Sequence, residues 1–95
     1  ATIVQNLAFL YYTKGAYSKA EPLYLRALAA REKHLGAESR EVGAVLNNLA
    51  LLHRVRGDYP QASRLLQRTL AIFEKNLPPE HPTIGVILTN LAAVS

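Results

Sequence analysis

The side chains of this 95-residue sequence that could do chemistry are few and dispersed. Its histidines, His34, His53 and His81, are not spaced i, i+4 as a metal-binding pair on a helix is, and without cysteine no zinc site is predicted. The glutamates scatter among lysines and arginines, so no acid–base pair is indicated, and no Ser-His-Asp grouping occurs. The glycines occur singly, which excludes a phosphate-cradling loop. We therefore expect no catalytic residue, no metal, no cofactor and no enzyme activity.

Asparagine is the polar residue that recurs with regular spacing. Asn6, Asn48 and Asn90 lie 42 residues apart. An asparagine side chain carries both a hydrogen-bond donor and an acceptor, so a row of them can bind the backbone of an extended peptide. The same side chains could instead bond a neighbouring helix and serve only packing. The sequence leaves both roles open.

The asparagine spacing is the period of the whole sequence. When residues 1–53 are laid over residues 43–95, 20 of the 53 aligned pairs are identical. A period of roughly 20–50 residues is typical of a solenoid, in which each unit buries its apolar face only against its neighbours. We expect one domain over residues 1–95, with repeat 1 at 1–42, repeat 2 at 43–84 and a partial repeat 3 at 85–95.

Each repeat has the pattern of two helices. Apolar residues at i, i+3, i+4 and i+7 predict a first helix over 2–14, which Gly15 ends because glycine readily adopts a positive φ. Ser18 and Glu21 have the spacing of a capping box for the second helix, and Pro22 is expected in or just after its first turn.

The second copy follows the same plan. Its helices are predicted at about 41–56 and 60–77, with Gly57 between them. Asp58 is the predicted N-cap of the second of these helices. The helix of the third repeat is predicted to start at Pro82. No stretch alternates with period two over the length of a strand, so the predicted fold class is all-α.

Composition narrows the class of partner. The apolar fraction of 49% is ordinary for a folded domain, and the net charge of +4 modestly favours acidic partners. The absence of cysteine fits a reducing compartment, so a cytoplasmic location is expected. No apolar run is long enough for a membrane span. The charges concentrate in residues 14–41 and 54–80, which leaves the first helices nearly uncharged.

The spacing Leu46-x-x-Leu49-Ala50-x-x-His53, then Gly57, then Tyr59-x-x-Ala62-x-x-x-Leu66 resembles the tetratricopeptide repeat. The usual unit has about 34 residues. The 42-residue unit here contains the motif Leu46-Asn47-Asn48-Leu49-Ala50 and is similar to the kinesin-light-chain-like subtype. This resemblance implies a right-handed α-solenoid of helical hairpins, two complete and one half. It also implies that the first helices line a concave groove where proteins or peptides bind.

The first-helix positions turned away from the apolar stripe are the predicted peptide-binding residues. They are Gln5, Asn6, Phe9, Tyr12, Asn47, Asn48, Leu51, Arg54 and Asn90. Phe9 and Leu51 would form an apolar floor beside the asparagines. The groove has almost no basic residues, which argues against a clamp for the carboxylate tails of chaperones and against RNA as a ligand. Lys14, Arg54 and Arg56, at the ends of first helices, could attract acidic residues that flank a peptide, or could be solvated charges that favour a helix C-terminus.

The second helices and the two ends carry the remaining expectations. Lys19, Arg26, Arg31, Arg64 and Arg68 should lie on the convex, solvated side. The lack of methionine and the incomplete third repeat suggest an excised piece of a longer protein. The apolar terminal helices, 1–14 and 82–95, predict self-association or stability only within a parent array. The alternative function is therefore a structural spacer or self-assembling repeat without its own peptide ligand.

Overall fold

The structure is a computed structural model that describes residues 2–94, and of Thr2 the backbone alone. Ala1, Ser95 and the Thr2 side chain, which the predicted repeat ranges include, lie outside the described residues. The described chain forms five α-helices and no strand: α1 (Thr2–Thr13), α2 (Tyr17–Leu35), α3 (Arg40–Val55), α4 (Tyr59–Asn76) and α5 (Pro82–Val94). The predicted all-α class is confirmed.

The helices stack in the order of the chain. Each packs mainly on the helix before it and the helix after it, and the first helices α1 and α3 also touch. Val45, Leu49 and Leu52 of α3 are buried with residues of α1 and α2, whereas Ala50 is buried with residues of α4 and α5. The apolar core is thus a row of interfaces between successive helices, as in a solenoid.

The turns after the first helices are identical in the two complete repeats. Gly15 has a φ of 80°, and the amides of Gly15 and Ala16 donate to the carbonyls of Tyr12 and Tyr11. Gly57 has a φ of 84°, and the amides of Gly57 and Asp58 donate to the carbonyls of Arg54 and His53 in the same way. This is the Schellman arrangement, which satisfies the last carbonyls of a helix and needs a left-handed residue.

The start predicted for α2 is wrong. The closed turn places Ala16 at the N-cap, where no side chain caps the helix, and the helix has begun by Tyr17. Ser18 is therefore already helical and does not form the predicted capping box. Pro22 is the sixth helical residue, just after the first turn, and its missing N–H removes a bond to the Ser18 carbonyl. Glu21 instead accepts a hydrogen bond from Arg56 at 2.9 Å.

Side-chain caps do begin the helices of the second repeat. Asp58 Oδ1 accepts from the Gln61 amide at 3.4 Å, which confirms the predicted N-cap of α4. Ser39 Oγ accepts from the Val42 amide at 3.2 Å and caps α3. Asp58 occupies the place that Ala16 holds one repeat earlier, so the two repeats differ in capping although their turns are the same.

Candidate peptide-binding face

One side of α3 remains uncovered by the stacked helices. Seven residues of α3 are buried, and they occupy the rest of its circumference. The uncovered strip, which we call the open face, consists of Ala44, Asn47, Asn48, Leu51, Arg54 and Val55. On α1 the equivalent positions described by the structure are Gln5, Asn6, Phe9, Tyr12 and Thr13, and on α5 they are Val86, Thr89, Asn90 and Ala93. The open face includes these equivalent positions, so the predicted peptide-binding residues all belong to one repeated strip.

The three repeated asparagines are accessible and make no side-chain hydrogen bond within the described chain. Asn6 is exposed, and Asn48 and Asn90 are half-buried. Consecutive residues of a helix are turned about 100° from one another around its axis. Asn48 therefore lies on the side of α3 that faces α1, and Asn47 lies on the side that faces α5. The side-chain donors and acceptors of Asn6, Asn48 and Asn90 thus bond no neighbouring helix among the described residues.

Gln5 and Asn47 occupy equivalent positions but differ in their partners. Gln5 Oε1 accepts a hydrogen bond from Arg31 Nη2 at 3.3 Å, so Arg31 does not lie on the solvated side as predicted. The residue equivalent to Arg31 is Phe73, which cannot donate. Asn47 Oδ1 is buried and has no hydrogen-bond partner among the described residues. A buried acceptor without a donor costs roughly 1–3 kcal/mol.

Aromatic rings extend the open face at α1. The Phe9 and Tyr12 rings are stacked, with centroids 6.2 Å apart, and Tyr12 lies 5.7 Å from the Tyr17 ring. Phe9 is 52% exposed although it is large and apolar. Tyr12 also contributes, after burial, to raising the pKa of the buried Tyr24 to about 12. This part of the face can take an apolar side chain.

A cleft of about 370 Å³ opens at the N-terminal end of α3. Its wall includes Glu41 and Ala44 of α3, Phe73 and Leu77 from the end of α4, and His81 at the start of α5. His81 Nδ1 accepts from the Thr83 amide at 3.1 Å. This cleft was not predicted from the sequence, although the replacement of Arg31 by Phe73 between the two repeats was a signal that could have indicated it. Since Ala44 belongs to the open face, the cleft can receive a side chain of a chain lying there.

Charged side chains near the turn after α3 lie close to one another. His53 lies 3.7 Å from Glu21 and 3.6 Å from Asp58, and Arg56 contacts Glu21 at 2.9 Å. Arg56, in the turn after α3, thus forms an ion pair with Glu21 of α2, and His53, in the last turn of α3, lies close to two carboxylates. No cluster of metal-ligating side chains occurs in residues 2–94. Of the cations predicted to attract acidic residues, Arg56 is thus already paired, whereas Lys14 and Arg54 have no ion-pair partner among the described residues.

The model of the tetratricopeptide repeat matches residues 1–75 and again residues 41–94. This chain belongs to the tetratricopeptide repeat family. Such repeats are scaffolds that generally mediate protein–protein interactions and bind proteins or peptides. No helix in the described part of this tetratricopeptide protein is long and apolar enough to cross a membrane.

Solved structures identify the subtype as kinesin-light-chain-like. The chain is similar to BtubC (BKLC) from P. vanneervenii, with 32% identity and a TM-score of 0.88 over 98% of this chain and 37% of that one. It is also similar to a putative kinesin light chain from Podosopora anserina with nearly identical TPR-like repeats, with 28% identity and a TM-score of 0.84 over 98% of this chain and 44% of that one. The tetratricopeptide chain thus spans less than half of either relative. No curated protein sequence matches it.

Proposed function

We propose that the open face of α1, α3 and α5 binds an extended peptide segment of a partner protein. The observation that carries this proposal is the row of Asn6, Asn48 and Asn90, whose side-chain amides are accessible and bond no other group described in the structure. Each amide can accept from a peptide N–H and donate to a peptide C=O. Backbone recognition of this kind accepts many sequences, and side-chain pockets then select among them.

The surroundings of the asparagines define the chemistry of the peptide. The Phe9 ring and Leu51 offer apolar contacts beside the amides, and the cleft next to Ala44 offers space for a larger side chain. Arg54 is the single charged residue on the described open face. The favoured ligand is therefore an apolar, extended segment with an acidic residue near the end of α3, where Arg54 lies.

A displayed library of random peptides selected against the full chain tests the proposal, with affinities of the selected peptides measured by calorimetry. The double change Asn6→Ala with Asn48→Ala should weaken binding about five-fold or more, since at least two hydrogen bonds of about 0.5–1.5 kcal/mol each are lost. Helicity and melting temperature should change little. The control is Gln67→Ala on α4, which removes an exposed amide away from the open face.

Two results would contradict the proposal. One is a selected peptide whose affinity is unchanged by the double asparagine change. The other is selection of peptides whose binding depends on Gln67 as strongly as on Asn48. Asn48→Asp refines the test, because it keeps an acceptor and removes the donor, so a peptide carbonyl bound at this position should lose its partner.

A further inference from the structure

The side-chain acceptor of Asn47 is buried without a donor, although the equivalent acceptor of the first repeat has one. Gln5 Oε1 accepts from Arg31 Nη2 at 3.3 Å, and this bond joins α1 to α2. No described residue donates to Asn47 Oδ1. The first repeat therefore shows which donor suits this position in the fold, namely the guanidinium group of an arginine.

Phe73 occupies the place in the second repeat that Arg31 occupies in the first. Its ring packs on Gly43, since a Cβ added at Gly43 would lie 3.0 Å from a ring carbon. Gly43 precedes Asn47 by one turn of α3, so the ring lies beside the same side of the helix. A phenylalanine ring has no N–H to donate. A donor for Asn47 Oδ1 thus comes from outside the described chain.

The cleft of about 370 Å³ at the N-terminal end of α3 brings such a donor within reach. Ala44, Phe73 and Leu77 form an apolar part of its wall, against which the methylene groups of a long side chain can lie. Ala44 precedes Asn47 by three residues, so the two side chains are neighbours on α3. The terminal torsion of an asparagine is soft, which allows Oδ1 to turn toward a group that enters along the cleft.

The charges of the cleft wall allow that side chain to be a cation. The wall contains one acid, Glu41, and one arginine, Arg40. His81 adds no charge, because its Nδ1 accepts from the Thr83 amide and therefore carries no proton. Glu41 is exposed and forms no ion pair with any described residue. A carboxylate is thus available to a cation at the rim, and the net charge of the wall does not oppose it.

We propose that a peptide bound on the open face places an arginine side chain in this cleft, with its guanidinium group donating to Asn47 Oδ1. The arginine stem lies against Phe73 and Leu77, and Glu41 attracts the charge from the rim. Arginine suits the site better than lysine, because its planar group holds five donors in fixed directions and is more weakly hydrated. This specificity rests on the proposed peptide binding, which the row of asparagines can provide without it.

Two displayed peptide libraries, selected in parallel against the full chain, test the proposal. They have the same length and diversity, but the second contains lysine and no arginine. We expect the complete library to give peptides that share an arginine at one position, and the arginine-free library to give peptides that bind about ten-fold more weakly. Equal affinities from the two libraries would overturn the arginine site and leave the proposed function intact. Failure of both libraries to give a binding peptide would overturn both.

A double-mutant cycle, measured by calorimetry, locates the contact. Replacing the shared arginine of a selected peptide with alanine should weaken binding to the unchanged protein about ten-fold. The same replacement should weaken binding to Asn47→Leu about three-fold or less, because the acceptor is gone. Asn48→Leu is the matched control, and the full ten-fold effect should remain in it. An effect of the arginine that persists undiminished in Asn47→Leu would overturn the proposal.

Charge changes separate the cleft from long-range attraction. Glu41→Gln should weaken binding of the arginine peptide about two-fold to five-fold, as expected for an exposed ion pair. Arg40→Gln should not weaken it. Glu74→Gln removes an exposed carboxylate of α4 that does not line the cleft, so it changes the net charge equally and should leave the affinity unchanged. Equal losses for Glu41→Gln and Glu74→Gln would contradict an arginine in the cleft.

Discussion

Replacing Asn47 with leucine should make this protein more stable. The buried Oδ1 of Asn47 has no donor among the described residues, and leaving such an acceptor unsatisfied costs about 1–3 kcal/mol. Leucine removes the acceptor, has the same branching and the same number of side-chain heavy atoms, and adds a few tenths of a kcal/mol of helix propensity. We expect a gain of about 1 kcal/mol or more in the free energy of unfolding, which corresponds to a rise in melting temperature of about 4–8 °C for a domain of this size.

Urea titration and thermal melting followed by circular dichroism measure this change. Asn48→Leu is the matched control, because it makes the same substitution one residue along, where the side chain is half-buried and has no buried unsatisfied atom. Gln5→Leu is the opposite control. It removes the acceptor of the Arg31 hydrogen bond, so it should lower the free energy of unfolding by about 0.5–1.5 kcal/mol.

The result that would refute this reasoning is an Asn47→Leu protein no more stable than Asn48→Leu. Oδ1 would then have a partner in solution, and the difference between the two repeats would carry no energetic consequence. If stability rises while affinity for a selected peptide falls, Asn47 exchanges stability for binding, as functional positions often do.

Three further predictions concern helix geometry and pH. Gly85→Ala should stabilise the protein by about 0.5–1 kcal/mol, because its new Cβ would meet no atom within 4 Å. Gly43→Ala should stabilise it less or destabilise it, because its new Cβ would lie 3.0 Å from a ring carbon of Phe73. Equal urea midpoints for the two variants would contradict this. Ser39→Ala should lower the free energy of unfolding by about 0.5–2 kcal/mol and Ser18→Ala should leave it nearly unchanged, since only Ser39 caps a helix. A larger drop in melting temperature for Ser18→Ala would show that Ser18 does form a capping box. Burial raises the pKa of Tyr24 to about 12 from the ordinary 10.0. The contribution of this group to stability should therefore be intact below pH 10.0 and be lost as the pH rises toward 12, and Tyr24→Phe should flatten this fall in alkaline melts.

The fold could be predicted because its determinants are local and repeated. The apolar spacing, Gly15 and Gly57 define helices and turns within a few residues of themselves, and the 42-residue period shows that the units stack. The start of α2 could not be predicted in this way. Two signals compete there, a capping box at Ser18 and a Schellman turn at Gly15, and the turn prevails because its two backbone hydrogen bonds fix the next residue as the N-cap.

The exposure of the candidate site was predictable, but its contacts were not. Which residues of α3 remain uncovered follows from helical periodicity, and the structure leaves that strip open. The hydrogen bond from Arg31 to Gln5 joins residues 26 positions apart, and the ion pair of Arg68 with Glu32 joins residues 36 apart. Such pairs depend on the angle between packed helices, which sequence spacing alone does not give.

The comparison of the two repeats shows how a binding site can arise within a solenoid. At one position the first repeat uses Arg31, which spans the seam between its helices and satisfies Gln5. The second repeat uses Phe73, which packs against Gly43 and leaves Asn47 without a donor next to an open cleft. Both repeats place a large side chain at this position, Arg31 half-buried and Phe73 buried, so the stack tolerates either. Since only the second leaves an unsatisfied acceptor and free volume, we expect ligand specificity to reside in the second repeat, while the asparagines contribute backbone contacts that do not depend on the sequence of the peptide.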